Sequence, residues 1–256
     1  MSEPVAIQDM LRSTEDAPDI QVPCRNTCPK CGTVDEYFVT LPAWAAEVFP
    51  GGERSKLCLV CIEEKRKAEE NELRAEQIDE LMDHAEIPAN FLSWDKSKGN
   101  GELARKIRDC RHMSLYVSGA NDCGKTRAAA FNLLLEIRSG VKCRFIRFTE
   151  LAAAYARVCK LESENSMKYI KSVLADRIVL IDDIGKRRIT GTAGELLYEL
   201  FDRVYAGDCG SRIWITSNLS LAELANQFEN VDIGDAVVSR IDRMIDDGRM
   251  MKIEAS

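Results

Sequence analysis

The stretch Gly119-Ala120-Asn121-Asp122-Cys123-Gly124-Lys125-Thr126 matches the pattern G-x-x-x-x-G-K-[ST] at every fixed position. In such a loop, backbone N–H groups curl around phosphate oxygens, the lysine places a cation on the β- and γ-phosphates, and the threonine hydroxyl ligates Mg²⁺. An apolar run at residues 113–117 precedes the stretch, and an amphipathic pattern at residues 127–137 follows it. Because the loop would join a strand to the N-terminus of a helix, which attracts anions, all eight residues are predicted contacts of ATP.

Strand and helix patterns alternate beyond this loop. The strand patterns cover residues 141–148, 178–181 and 212–216, and the helix patterns cover residues 149–160, 167–174 and 192–205. Alternation of this kind predicts an α/β fold with a doubly wound parallel sheet flanked by helices. The purely aliphatic run at 178–181 is typical of a central strand that is buried on both faces.

Two acids end that aliphatic run, in the order Ile181-Asp182-Asp183. In a P-loop protein the first acid completes the Mg²⁺ shell and the second orients or activates the attacking water. Asp182 is therefore predicted to hold Mg²⁺ together with Thr126, and Asp183 to act as the base; the alternative is that one acid only caps the turn before Gly185. Aspartate is one methylene shorter than glutamate, so we expect hydrolysis of ATP to ADP and phosphate to be slow and switch-like.

A second buried strand pattern, at residues 213–216, ends in Ser217 and Asn218. An asparagine after a strand is usually a turn residue. Downstream of the two motifs above, however, Asn218 is predicted to lie beside the γ-phosphate and to help position water.

The ten cysteines include two C-x-x-C pairs, Cys28/Cys31 and Cys58/Cys61, with 26 residues between them. Two such pairs can close a tetrahedron of thiolates around one ion, and soft sulfur ligands select Zn²⁺ over Mg²⁺ or Ca²⁺. A hairpin can fill the gap. A closed site of this kind is structural and contributes on the order of 10 kcal/mol to folding. Free thiols and an iron–sulfur cluster are alternatives, and Cys24 could replace one ligand.

Composition and charge define the rest of the expected organisation. The net charge of −7 comes from the first 100 residues, which carry 11 Lys/Arg against 20 Asp/Glu, so nucleic-acid binding by the remainder is not excluded. No run of about 18 apolar residues predicts a membrane span, and the start does not read as a signal peptide, so a cytoplasmic location is expected. The predicted parts are a tail and zinc module at 1–61, a charged linker helix at 62–86 and an ATPase domain at 87–256.

With these motifs, the chain resembles the DnaC/IstB-like family of AAA+ ATPases, which includes replicative-helicase loaders and transposition helpers. Residues 84–91 (HAEIPANF) look like the lead-in A-x-I-P-x-x-F, and residues 180–185 (LIDDIG) and 216–219 (TSNL) are typical. Residues 234–241 (GDAVVSRI) look like the segment G-E-R-x-x-[SD]-R-[LM]. The resemblance implies an AAA+ core and an ATP-bound homo-oligomer in which Arg240 reaches the ATP of the next subunit as a trans finger.

The resemblance also implies partners. Family members bind single-stranded DNA with the segment between the two nucleotide motifs, which here offers cations and aromatic rings suited to phosphate contact and base stacking. These residues are Arg144, Arg147, Tyr155, Arg157, Lys160, Lys168, Tyr169 and Lys171. The zinc module is expected to recruit a replicative hexameric helicase. A transposition helper acting on a transposase, and a nucleotide-binding zinc adaptor without turnover, are the alternatives.

Overall fold

The structure is a computed structural model that describes residues 19–42, 52–54, 56–93, 99–160 and 163–255. The predicted tail up to residue 18 lies outside these ranges. The chain divides into two compact units, Met1–Arg74 and Ala75–Ser256. The division falls within helix α1 (Leu59–Ala85), which is the charged helix expected from the sequence. The described part of the chain has no helix that is both long and apolar enough to cross a bilayer.

The first unit contains a small sheet in the order β2-β1-β3, made by β1 (Asp19–Thr27), β2 (Val34–Pro42) and β3 (Gly52–Arg54). Strand β2 runs antiparallel to β1, whereas β3 runs parallel to it on the other side. The two strands described between the cysteine pairs therefore each pair with β1, and they do not pair with each other as the two strands of a hairpin would. Alternate residues of β1, Val22 and Cys24, are buried.

The second unit is an α/β domain that begins, after a short 3₁₀ turn at Ala89–Phe91, with α2. Its elements are α2 (Gly101–Asp109), β4 (Ser114–Gly119), α3 (Lys125–Arg138), β5 (Cys143–Arg147), α4 (Phe148–Cys159), α5 (Ser163–Val173), β6 (Ile178–Ile184), α6 (Gly191–Ala206), β7 (Arg212–Ser217), α7 (Leu221–Ala225), α8 (Val231–Asp246) and β8 (Met250–Ala255). The five strands form one parallel sheet in the order β5-β6-β7-β4-β8. The predicted parallel sheet flanked by helices is thus confirmed.

Successive residues of the central strands face opposite sides of this sheet, as strand geometry requires. Leu180 and Trp214 pack on one side with α2 and α3, whereas Ile181 and Ile215 pack on the other side with α4, α5, α6 and α8. Covering both faces explains why these strands read as continuous apolar runs in the sequence. The polar carboxyl ends of β4, β6 and β7 lie side by side at one end of the strands, where the phosphate loop begins.

Strand β8 was not expected from the sequence. It pairs in parallel with β4 along its whole length, and the last pair joins Gly119 to Ala255. A Cβ atom on Gly119 would lie 2.3 Å from the carbonyl oxygen of Ala255. The first glycine of the phosphate motif is therefore also required by the close approach of the neighbouring strand.

At the opposite, amino-terminal ends of the strands, Asp176 precedes β6. This residue is fully buried, and its carboxylate lies close to three basic groups. His84 Nε2 lies 2.8 Å, Lys142 Nζ 3.1 Å and Arg144 Nε 2.7 Å from its carboxylate oxygens. A buried carboxylate needs such partners to offset its desolvation. This cluster joins the end of α1 to the start of β5 within the second unit.

Candidate nucleotide site and cysteine cluster

The phosphate loop leaves β4 and turns into α3 through two residues in the left-handed region, Asp122 (φ 60°) and Gly124 (φ 87°). Lys125 is only 5% exposed, and its Nζ donates hydrogen bonds to the carbonyl oxygens of Gly119 (2.9 Å) and Ala120 (2.6 Å). Within the described ranges no carboxylate lies within ion-pair distance of this ammonium group. Its charge is therefore held at the loop and not neutralised by an acid.

Asp182, at the end of β6, lies between two threonine hydroxyls. Oγ1 of Thr126 donates to Asp182 Oδ1 at 2.6 Å, and Oγ1 of Thr216 donates to the same oxygen at 2.5 Å. Burial raises the pKa of the Asp182 carboxyl; the two hydrogen bonds oppose this shift, and the neighbouring Asp183 adds to it. The structure thus brings the two predicted Mg²⁺ ligands, Thr126 and Asp182, into direct contact.

Asp183 sits where the pairing of β6 with β7 shifts register between Ile181 and Ile184. Its backbone is left-handed (φ 60°), and its N–H donates to Thr216 Oγ1 at 3.0 Å. A left-handed aspartate interrupts the alternation of the strand, so the carboxylates of Asp182 and Asp183 can both face the nucleotide edge. Lys186 Nζ lies 3.0 Å from Asp183 Oδ2. The base role assigned to Asp183 stays a prediction.

Lys125, Thr126 and Asp183 border a cleft of about 480 Å³. Asn218, which follows β7, lines it together with the phosphate loop and Asp183; its contact with a γ-phosphate stays a prediction. The full set is Phe91, Asn121, Asp122, Gly124, Lys125, Thr126, Arg127, Asp183, Lys186 and Asn218. The cleft thus brings together three cations, one threonine hydroxyl, two acids and two amides around one opening of a size suited to a nucleotide, while Asp182 lies buried behind Thr126.

Sequence reasoning assigned no nucleotide role to Phe91 or Arg127. The guanidinium carbon of Arg127 lies 5.5 Å from the centre of the Phe91 ring, and its Nη1 donates to the carbonyl oxygen of Ser93 at 3.3 Å. The signals were present, since Phe91 ends the lead-in pattern and Arg127 directly follows the phosphate motif. Their position in the cleft makes them candidates for contact with the nucleotide.

Arg240, the predicted trans finger, is not among the residues that line the cleft of its own chain. It lies on α8, and its Nε is 2.8 Å from Oδ1 of Asp202 on α6. Its guanidinium carbon lies 5.8 Å and 5.5 Å from the ring centres of Tyr198 and Tyr205. This ion pair joins α8 to α6. The trans role stays a prediction.

The four cysteines of the two C-x-x-C pairs converge, and their sulfur atoms all lie within 4.8 Å of one another. Cys28 and Cys31 lie in the turn between β1 and β2, whereas Cys58 and Cys61 lie at the start of α1. The sulfurs of Cys31 and Cys58 are 3.6 Å apart, close to the spacing of about 3.8 Å that Zn–S bonds of about 2.3 Å give in a tetrahedron. Cys24 is buried in β1 and is not part of this cluster.

The chemistry of this cluster also suits a cation. Backbone N–H groups of Cys58 and Cys31 lower the pKa of the Cys28 thiol to about 6, whereas burial raises the pKa of Cys61. A divalent cation supplies the charge that lets all four sulfurs deprotonate together. The cluster therefore fits a structural zinc ion, as predicted, and no disulfide links these cysteines.

Of the residues predicted to bind DNA, some are buried in the core or held in ion pairs, and the others are exposed. Tyr155 is buried in the core, and Tyr169 packs beside it with ring centres 6.2 Å apart, so the expectation that Tyr155 stacks on bases is wrong. The charge of Arg144 is used by the buried Asp176, and Arg147 pairs with Glu150. The remaining cations are exposed: Arg157, Lys160, Lys168 and Lys171.

A parallel sheet with a phosphate loop at the end of β4 and an acid near the end of β6 defines the class of P-loop nucleotide-binding proteins. A family model described as an IstB-like ATP-binding protein matches residues 65–256. The chain belongs to this family, as the motifs of the sequence indicated. The match includes most of α1 and the whole of the second unit.

Comparison with solved structures found distant similarity. The DnaC helicase loader is 21% identical over 60% of this chain and 87% of its own, with a TM-score of 0.47. DnaI is 16% identical over 67% of this chain and 92% of its own (TM-score 0.49), and the AMPPCP-bound DnaA from Aquifex aeolicus is 15% identical over 60% and 45% (TM-score 0.47). None of the curated proteins compared with the chain matched it significantly.

Proposed function

We propose that the protein hydrolyses ATP slowly, as a switch, and that its ATP-bound form assembles on single-stranded DNA to deliver or regulate a replicative hexameric helicase. The proposed ATPase activity is supported by one observation: Lys125, Thr126, Asp182 and Asn218 lie close together at the carboxyl ends of the parallel strands. The helicase as partner rests on the resemblance of the lead-in and Arg240 segments to helicase loaders. The cysteine module is the proposed site of helicase recruitment.

In this proposal, each cleft residue has one task. Lys125 turns from the carbonyl oxygens of the loop to the β- and γ-phosphates, while Thr126 and Asp182 hold Mg²⁺, which neutralises phosphate charge. Asp183 takes a proton from the attacking water, and Asn218 orients that water. The ion pair between Asp183 and Lys186 competes with this task, which supports slow turnover.

Phosphate release from ATP, with and without single-stranded DNA, tests the enzymatic part. We expect slow turnover in the wild type and none in Asp183→Asn, which keeps the size of the side chain but not its basicity. Equal turnover of the two proteins would remove Asp183 from the mechanism. Binding of ATP without any turnover, with or without DNA, would favour the nucleotide-binding adaptor instead.

DNA binding is tested at the exposed cations of α5. Replacing Lys168 and Lys171 together by alanine should weaken single-stranded DNA binding and, if each contacts one phosphate, lower the salt dependence by about 1.4 in log K against log salt. Fluorescence anisotropy at several salt concentrations measures both. Lys106→Ala is the matched control, because Lys106 is paired with Glu102 on α2. An unchanged salt slope in the double variant would place the DNA elsewhere.

The match to an IstB-like model favours one further candidate, a transposition helper that acts on a transposase. Co-purification from the source cell distinguishes the partners, since a loader retains the replicative helicase and a helper retains a transposase. The Cys28→Ser variant shows whether retention depends on the cysteine module. Retention that is unchanged by this substitution would exclude that module as the docking site.

A further inference from the structure

Three side chains on one face of α6 surround the guanidinium group of Arg240. Tyr198, Asp202 and Tyr205 follow the spacing i, i+4, i+7, so they lie above one another on the helix. The Arg240 Nε–Asp202 Oδ1 distance is 2.8 Å, and the two ring centres lie 5.8 Å and 5.5 Å from the guanidinium carbon. We call this set of three residues the α6 cradle.

Within the cradle, Asp202 is the residue that forms an ion pair with Arg240. Asp202 contacts Nε, and among the described residues it is the one carboxylate within 4.0 Å of Arg240. A guanidinium group has five N–H donors in a rigid plane; Asp202 engages Nε and the side chain of Tyr198 is also hydrogen bonded to the group, so no described carboxylate occupies the Nη groups, whose geometry matches phosphate oxygens. A carboxylate bound to the Nη groups would have blocked their contact with a phosphate.

The cradle is itself fixed. The guanidinium carbon of Arg249 lies 4.7 Å from the ring centre of Tyr205, and Arg249 Nη1 donates to the carbonyl oxygen of the same residue at 2.6 Å. The Arg240 side chain is 23% exposed, so it is partly covered and yet reachable from outside the chain. A long side chain that is already ordered loses less entropy when it meets its target.

We propose that Asp202, Tyr198 and Tyr205 are positioning residues that hold Arg240 ready for the nucleotide of a neighbouring copy of this chain. The inference rests on the proposed function, because it requires Arg240 to act in trans. It assigns the α6 face as the part of the subunit that presents the finger. The competing interpretation is that the ion pair only ties α6 to α8 within one chain.

A mixing experiment separates these interpretations. Lys125→Ala chains supply a finger but no active site, and Arg240→Ala chains supply an active site but no finger, so their mixture turns over ATP only across subunit junctions. Asp202→Ala is then added to one partner at a time. In the finger-donating Lys125→Ala chain it should lower the turnover of the mixture roughly ten- to hundredfold, as expected when a catalytic group is misplaced. In the Arg240→Ala chain it should have no effect.

Control variants test whether the loss of turnover comes from the positioning of Arg240 and not from a general loss of stability. Glu199→Ala removes an acid from the same helix that pairs with Arg203, and it should leave the mixture unchanged in either chain. Asp202→Asn keeps an oxygen for Nε and should lose less activity than Asp202→Ala. Thermal unfolding of each variant reports stability, which a structural ion pair would change equally in both chains.

Each result decides the matter. Loss of turnover confined to the finger-donating chain supports the inference. No loss there, or the same loss in both chains, overturns it while leaving the trans finger intact. If the parent mixture of Lys125→Ala and Arg240→Ala shows no turnover although wild type does, the trans finger itself is wrong and the cradle has no positioning task.

Discussion

Thr126 and Asp182 are hydrogen bonded to each other, with 2.6 Å between the threonine Oγ1 and the carboxylate Oδ1. The threonine lies in the first turn of α3, and the aspartate lies near the end of β6, two strands away from the strand that leads into the loop. Because Thr216 donates to the same oxygen from the intervening strand, three parts of the chain meet at one carboxylate. The proposed Mg²⁺ site is therefore assembled by tertiary structure and is held by hydrogen bonds.

Asp182→Asn should stabilise the nucleotide-free protein while abolishing its chemistry. Asparagine keeps an oxygen for both threonines but does not bury a charge, so the free energy of unfolding near pH 7 should rise by an amount on the order of 1 kcal/mol. ATP turnover should fall by roughly a hundredfold or more because a ligand of Mg²⁺ loses its charge. Chemical denaturation and phosphate release measure the two effects.

The stability gain of Asp182→Asn should depend on pH. The folded-state pKa of Asp182 is raised, mainly by burial, so the wild type carries no charge penalty below the unfolded pKa of the carboxyl. It loses stability as the pH rises through the folded pKa. The advantage of the variant should accordingly be absent in acid, grow with pH and then level off. An advantage that shrinks with rising pH would contradict the assignment.

Lys125→Ala should abolish nucleotide binding. The ammonium group is the cation held at the loop, and no described acid neutralises it, so its loss removes the contact proposed for the β- and γ-phosphates. Titration with a fluorescent ATP analogue measures affinity. Lys106→Ala, an exposed lysine of α2, is the control and should bind as the wild type does. Wild-type affinity in Lys125→Ala would exclude this loop as the nucleotide site.

Purified protein should contain about one zinc ion per chain, because the four sulfurs lie within 4.8 Å of one another and can together supply the ligands of one tetrahedral site. Cys28→Ser and Cys58→Ser should each lose the metal and unfold the first unit while nucleotide binding persists. Elemental analysis after anaerobic purification without chelators gives the stoichiometry. Cys24→Ser replaces a buried cysteine outside the cluster and should keep its zinc. A metal-free wild type would contradict the assignment.

Gly234→Ala should destabilise the fold by about 1–3 kcal/mol through overpacking. A Cβ atom at Gly234 would lie 2.8 Å from the carbonyl oxygen of Ala225 and 3.0 Å from Phe228 Cβ, so α8 would have to move. Gly191→Ala, at the start of α6, has nothing within 4 Å of its added Cβ and should be neutral. Thermal unfolding of the two variants provides the comparison.

The phosphate loop and the acids were predictable because their chemistry is local in sequence. Eight consecutive residues fix the loop, and an aliphatic run that ends in Asp182 and Asp183 is visible without tertiary information. The four cysteines were equally clear, since their spacing alone identifies two pairs. The parallel sheet followed from the alternation of strand and helix patterns.

What escaped prediction depends on partners distant in sequence. Strand β8 alternates buried and exposed positions only loosely, and its place beside β4 is determined by packing more than 100 residues away. Arg144 looked like a free cation until the buried Asp176 was found next to it, and Tyr155 looked like a stacking ring until the core enclosed it. The contact of Arg240 with Asp202 joins two helices, and no pattern within either helix indicated it.

The Asp176 cluster has a consequence for how this family can vary. One buried acid is compensated by three basic groups, one at the end of α1 and two at the start of β5, so the bases are redundant and the acid is not. Losing any one base leaves two partners for the carboxylate, whereas losing Asp176 would leave His84, Lys142 and Arg144 crowded together without a counter-charge. Among homologous sequences we therefore expect the acid to persist while the bases drift, one at a time, between lysine, arginine, histidine and uncharged residues.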